Sequence, residues 1–182
     1  DVRWVRRIVF VKNAYWILQD VLTGIPESVA VEQNFQFEPE IAVELQGCDI
    51  RARAGNGAML CLQVLDSPLV PELHMGDKTP HKTGATAYKT YAGQYDFEVG
   101  RGWVGRRRNA PIPAPAVTYT GRVRLPVVFT LALVPLAPGA DATGLPAIRC
   151  EKSGDLTRWH LPSPSGCIIL DTSADRFETT NA

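Results

Sequence analysis

No stretch of this chain holds apolar residues at a 3.6-residue period over a dozen positions, which removes helical bundles and alternating α/β architectures at once. Short runs rich in β-branched and aromatic residues recur instead, punctuated by Gly, Pro, Asn and Asp. In the clearest run, Val29, Val31, Gln33, Phe35 and Phe37 fall on one side, and Glu32, Asn34 and Gln36 on the other. That is the alternation a strand imposes on successive side chains, with one face mostly apolar and the other wet.

The same grammar extends along the chain. Arg7 to Val11 and Tyr15 to Leu22 flank the turn Lys12-Asn13-Ala14 and predict a hairpin, and further strands are expected at 41–45, 49–54, 58–65, 95–99, 116–119 and 123–136. The fold class that follows is all-β, an antiparallel β-sandwich of two stacked sheets with long surface loops. The proline-marked segments 66–93 and 101–115 read as surface excursions. Three short C-terminal runs, 148–151, 156–161 and 167–171, can add a small meander, and 172–182 reads as a fraying tail. The expected division is a sandwich over 1–140, completed or extended by strands over 141–182.

With 19 Lys+Arg against 19 Asp+Glu in 182 residues, no bulk charge steers the chain toward a polyelectrolyte. No apolar run approaches the roughly 20 residues of a bilayer-spanning helix. The four cysteines are too sparse for a disulfide scaffold, and Cys61 and Cys167 lie in apolar runs where free thiols pack as small hydrophobes. Asp1 stands where a natural start would carry Met, inside a segment that already reads as strand, so a cut within a longer protein is expected.

No Gly-rich phosphate loop, nucleophile elbow or His-Glu-x-x-His pair is present, and His74, His81 and His160 match no metal spacing. Two places carry candidate chemistry. Asp20 ends an apolar strand and needs a partner there; it can begin the turn, pair with Arg6 or Arg7, or bind a metal. The stretch Arg101-Gly102-Trp103-Val104-Gly105-Arg106-Arg107-Arg108 combines four guanidinium groups with an indole, a set that suits a sugar ring and its acidic substituents. The same arginines can equally form a solvated loop or pack on a neighbouring domain. Nucleic acid is disfavoured by the zero net charge and the lack of a recognition motif.

The segment Arg6-Arg7-Ile8-Val9-Phe10-Val11-Lys12-Asn13-Ala14-Tyr15-Trp16-Ile17-Leu18-Gln19-Asp20 resembles the opening of the C-terminal β-sandwich domain of the heparinase II/III-like polysaccharide lyases. Glu32 to Pro39, the pair Gly102-Trp103, Pro113-Ala114-Pro115 and the strand Leu125 to Pro135 are similar to later pieces of that domain, in the same order. The resemblance spans about residues 3–140. It implies a bacterial protein in which this sandwich packs on an N-terminal α/α toroid of the same chain, with an acidic polysaccharide in the cleft between them.

By that resemblance the full-length protein is a lyase acting by β-elimination. This chain alone is non-catalytic, and supplies cleft wall and substrate contacts through Trp103, Arg101, Arg106, Arg107 and Arg108. Some family members carry zinc in the sandwich on His and Asp ligands, and Asp20 stands at the Asp position. Trp4-Val5 stands where a His precedes Arg-Arg, and Gln36 where a second His is common, so the zinc possible in the family would keep Asp20 but lack its expected histidine ligands here. The family favours a periplasmic or secreted setting and gives no reason for a membrane or nucleic-acid partner. The alternative reading is a non-catalytic carbohydrate-binding or structural sandwich module.

Overall fold

The computed structural model describes residues 1–80, 97–99, 101–107, 110–140 and 144–181, and for 78–80, 97–99, 106–107 and 110 the backbone alone. The architecture is all-β and antiparallel throughout, built on a six-stranded sheet. Its hairpin β1 (Val2–Val11) and β2 (Tyr15–Gly24) pairs Val11 with Tyr15 and Val2 with Gly24. Asn13 takes φ 60° in the turn, a conformation its short polar side chain tolerates.

Beside β2 runs β13 (Val127–Leu136), then β6 (Met59–Asp66), β5 (Asp49–Arg53) and β4 (Ala42–Gln46) at the far edge. Three strands, β3 (Ser28–Gln36), β12 (Pro115–Arg124) and β7 (Val70–Met75), make a second sheet with β12 in the middle. A four-stranded meander, β14 (Arg149–Ser153), β15 (Leu156–Ser163), β16 (Gly166–Thr172) and β17 (Phe177–Asn181), forms a third. Two short ribbons, β8 (Lys78–Pro80) with β9 (Phe97–Val99) and β10 (Trp103–Arg107) with β11 (Ala110–Pro113), complete the described elements.

The six-stranded sheet is covered on both sides. Tyr15 and Ile17 of β2, with Met59, Cys61, Ala132 and Val134, pack against Trp159, Leu161 and Leu170 of the meander. Leu22, Ile50, Leu62 and Phe129 pack against Val117, Tyr119 and Val123 of β12. A strand buried on both faces needs apolar residues at consecutive positions rather than alternate ones, which is what β2 carries from Tyr15 to Leu22 apart from Gln19 and Asp20. Two phenols fasten the layers: the Tyr15 hydroxyl donates to Pro162 O at 2.8 Å and the Tyr119 hydroxyl to Cys48 O at 2.6 Å.

Three local expectations change. Residues 177–181 are no tail but an edge strand, with Thr180 opposite Ile169, and the Arg7 guanidinium donates to the carbonyls of Ser173, Ala174 and Arg176 just before it. The excursion expected from 66 includes β7, which pairs with β12 from Val70 opposite Thr120 to Met75 opposite Pro115. The segment 101–115 contains the ribbon β10–β11 and the start of β12. Cys61 is buried and Cys167 half-buried, while Cys48 and Cys150 are exposed and all four are free thiols.

Candidate functional site

Polar chemistry gathers on the outer face of the three-stranded sheet. On β12, Val117, Tyr119 and Val123 point to the core, so Ala116, Thr118 and Thr120 point outward. Register then places Gln36, Asn34 and Glu32 of β3 beside them on one side, and His74, Glu72 and Val70 of β7 on the other. A short ladder links the first two strands: the Thr118 hydroxyl donates to Asn34 Oδ1 at 2.7 Å, and the Asn34 amide donates to Glu32 Oε1 at 2.8 Å.

The segment leading into β10 is clamped onto the end of β7. The amides of Gly76 and Ala114 both donate to Gly102 O at 2.8 Å, and the amide of Asp77 donates to Arg101 O at 2.8 Å. Gly102 sits at φ 76°, and a Cβ there would lie 2.7 Å from Gly76 N and 3.0 Å from Ala114 O, so only glycine allows the approach. From this clamp the Arg101 guanidinium extends to an ion pair with Glu32 on the far strand. The Trp103 indole N–H donates to Asp77 O at 2.8 Å.

His74 lies at the centre of these groups and is only 6% exposed. Its Nδ1 is 2.6 Å from Asp77 Oδ2, and its Nε2 is 3.9 Å from Glu72 Oε2. The Asn34 amide, and then Arg101, hold the Glu32 carboxyl below its ordinary range against the opposing effect of desolvation. Among the described residues, three carboxylates, Glu32, Glu72 and Asp77, stand near His74 and the Arg101 guanidinium, with Arg122 farther along the same face of β12.

Of the residues expected from sequence, Arg101 and Trp103 fall in this constellation, with the guanidinium already on Glu32 and the indole N–H already on Asp77 O. Arg106 and Arg107 belong to β10 by their backbone, while their side chains and the whole of Arg108, like His81, lie outside the described residues. Sequence reasoning missed His74 in this role, together with Glu72, Asp77 and Glu32. The available signal was the alternate polar pair Glu72 and His74 with Asp77 three residues on, masked by Pro71, which made the run look like loop.

Asp20 is elsewhere, between the six-stranded and three-stranded layers. It occupies no turn; it lies inside β2 opposite Arg6 and Phe129. Arg6 Nε donates to its Oδ1 at 2.7 Å and Arg6 Nη2 to its Oδ2 at 2.8 Å, while the Gln33 amide donates to Oδ2 at 2.6 Å. The ion pair raises the Arg6 guanidinium pKa. A carboxylate served by a guanidinium and an amide N–H does not fit zinc, which needs lone-pair donors. Gln36 turns outward, its amide donating to Phe37 O and Pro115 O, and Trp4 stacks under the Arg6 guanidinium at 5.1 Å. Among the described residues no three His, Cys, Asp or Glu side chains gather as a metal set. Gln33 was also missed, although it is the one polar residue on the apolar side of β3.

Elsewhere, a cleft of about 500 Å³ between the six-stranded sheet and the meander is lined by Asp66, Asp155, Thr130, Thr157 and Thr172, with the Trp159 N–H spent on Thr172 Oγ1 at 3.0 Å.

Among solved structures the chain is similar to a heparan sulfate lyase, HepC, from Pedobacter heparinus. The TM-score is 0.61 at 11% identity, over 98% of this chain and 25% of that one. A mutant of the same lyase gives a TM-score of 0.62 at 12% identity over the same shares. The heparinase III BT4657 gene product gives 0.59 at 14% identity, over 94% of this chain and 24% of that one. At such identities the likeness is one of fold, and the chain spans about a quarter of the length of these structures. No protein-family model matches the chain, and no curated protein does either.

Proposed function

We propose that this chain is the β-sandwich module of a heparinase III-like polysaccharide lyase, non-catalytic by itself, serving as scaffold and cleft wall beside a catalytic domain in a longer chain. The observation that carries this is the likeness in fold of nearly the whole chain to about a quarter of each lyase. An apolar stripe supports it. Trp4, Ile8 and Phe10 of β1 are 61%, 59% and 54% exposed, and Phe10 stacks on Trp16 at 5.3 Å. A soluble surface seldom leaves such a stripe bare, and an α/α toroid of the same chain would cover it.

The chemistry is consistent with a supporting role. Elimination next to a uronate carboxylate needs a group to neutralise that carboxylate and a base for the α-proton. The two described tyrosines are in the core with their hydroxyls committed, and burial pushes the Tyr15 phenol up to about 12. In this reading Trp103 and the arginines 101 and 106–108 meet an acidic polysaccharide along the cleft. Titration of the chain with heparin, alginate and a neutral glucan at two salt concentrations tests it. Binding to an acidic polymer that weakens with salt and disappears in Arg106→Ala/Arg107→Ala supports the cleft wall; equal affinity for the neutral glucan sinks it. Assay of a longer parent for the conjugated product of elimination separates a lyase from a binding-only protein.

A further inference from the structure

We propose that the cleft between the six-stranded sheet and the meander binds one neutral, hydroxyl-rich ring of pyranose size, recognised by Asp66, Asp155, Thr130 and Thr157. The inference stands on the cleft alone and does not rest on the lyase reading.

The cleft exists because one strand stops early. β6 ends at Asp66, opposite Thr130, and the chain leaves through Ser67 and Pro68. β13 extends beyond that point to Val127, and among the described residues only β2 accompanies it there. Alternate residues of an antiparallel strand turn their N–H and C=O to the same side, so part of the β13 backbone faces a gap with no strand to meet it. Thr157, Trp159 and Thr172 of the meander form the opposite wall, and Pro68, Pro126 and Val128 supply apolar surface. The enclosed volume, about 500 Å³, lies within the range of about 300–1,000 Å³ that small-molecule sites occupy.

The hydrogen bonds still on offer in the lining define the ligand. Asp66 gives one oxygen, Oδ2, to Lys152 Nζ at 2.9 Å and keeps Oδ1, while Asp155 has no side-chain partner among the described residues. Thr130 Oγ1 accepts from the Gln19 amide at 3.3 Å, which leaves its own proton to give, and the Thr157 hydroxyl is uncommitted among the described residues. Thr172 is spent, since its Oγ1 accepts from Trp159 Nε1 and donates to Thr157 O. The cleft therefore asks for a ligand that donates to carboxylates and accepts from hydroxyls at neighbouring points. The O–H groups around a sugar ring do both, and the C–H face of the ring suits the prolines and Val128. An acidic sugar meets two carboxylates with no Lys, Arg or His in the lining. A simple amine satisfies the carboxylates but leaves the hydroxyl protons unserved.

The test is a titration of the whole chain with methyl glucoside, glucuronate and putrescine, followed by the Trp159 indole N–H and the Thr157 methyl resonances. Methyl glucoside should move both signals saturably, with the same affinity at low and high salt, which distinguishes this site from a salt-sensitive contact with an acidic polymer. Asp155→Ala and Thr157→Val should each weaken the binding by about tenfold. Both variants should melt close to the parent, because Asp155 is exposed and neither side chain has a hydrogen bond to lose. The proposal is overturned if methyl glucoside moves neither signal at tens of millimolar, or if either variant binds it unchanged. It is equally overturned if glucuronate or putrescine moves the two signals as strongly, since the lining would then select no neutral ring.

Discussion

A carboxylate inside a two-sided strand survives only where every oxygen is served, and Asp20 meets that condition through Arg6 and Gln33. Arg6→Ala leaves the charge buried with the amide of Gln33 alone, so a loss of about 2–3 kcal/mol in urea denaturation is expected. The double change Arg6→Leu/Asp20→Leu should recover much of it, because the pair vanishes together with its desolvation cost. A second pair sets an acid limb. Arg158 donates twice to Asp171 at 2.8 Å, and these bonds hold the Asp171 carboxyl below its ordinary 3.8. Near that pH the unfolded chain binds the extra proton, so the stability contributed is full above about 4 and is lost as pH falls through the lower folded value. Melting midpoints from pH 6 to 2 should fall less steeply in Asp171→Asn. At this scale the sequence already offered the Arg6 pairing, since an aspartate among Ile17, Leu18, Val21 and Leu22 demands a cation. Gln33 stayed hidden because nothing local says which residue faces it across two layers.

Strands that bury one face were legible from alternation, as in β3, and the hairpin β1–β2 follows from its turn. β17 was not legible, because its residues are mostly exposed and its order comes from backbone pairing with β16. β7 was hidden by Pro71, yet among the described residues it pairs only with β12, and a sheet-edge strand can carry a residue that donates no N–H. The clamp at Gly102 gives the test for this scale. Gly102→Ala forces both a disfavoured φ and an overlap with Gly76 N, so a loss of about 1–3 kcal/mol is expected, with a red shift of tryptophan emission as Trp103 leaves Asp77 O.

The all-β class could be read from the chain, but the three-layer stacking could not, since period-2 patterns report that a face is covered and not by which sheet. Only the continuous apolar run of β2 hinted at cover on both sides. The exposed stripe on β1 belongs to this scale too. Trp4→Lys/Phe10→Lys should leave the melting midpoint within a few degrees, as surface changes do, while reducing hydrophobic-dye binding and concentration-dependent association in sedimentation. An unchanged dye signal would show that the stripe is not the accessible apolar surface.

The meander that covers the six-stranded sheet is made after every strand it covers. While β15 and β16 remain in the ribosomal tunnel, Tyr15, Ile17, Met59 and Val134 stand as a bare hydrophobic wall, because Trp159, Leu161 and Leu170 have not arrived to close it. Slow translation between β13 and β16 would prolong that interval, so yield in the cell should depend on how quickly that stretch of the message is read and on how much chaperone is at hand.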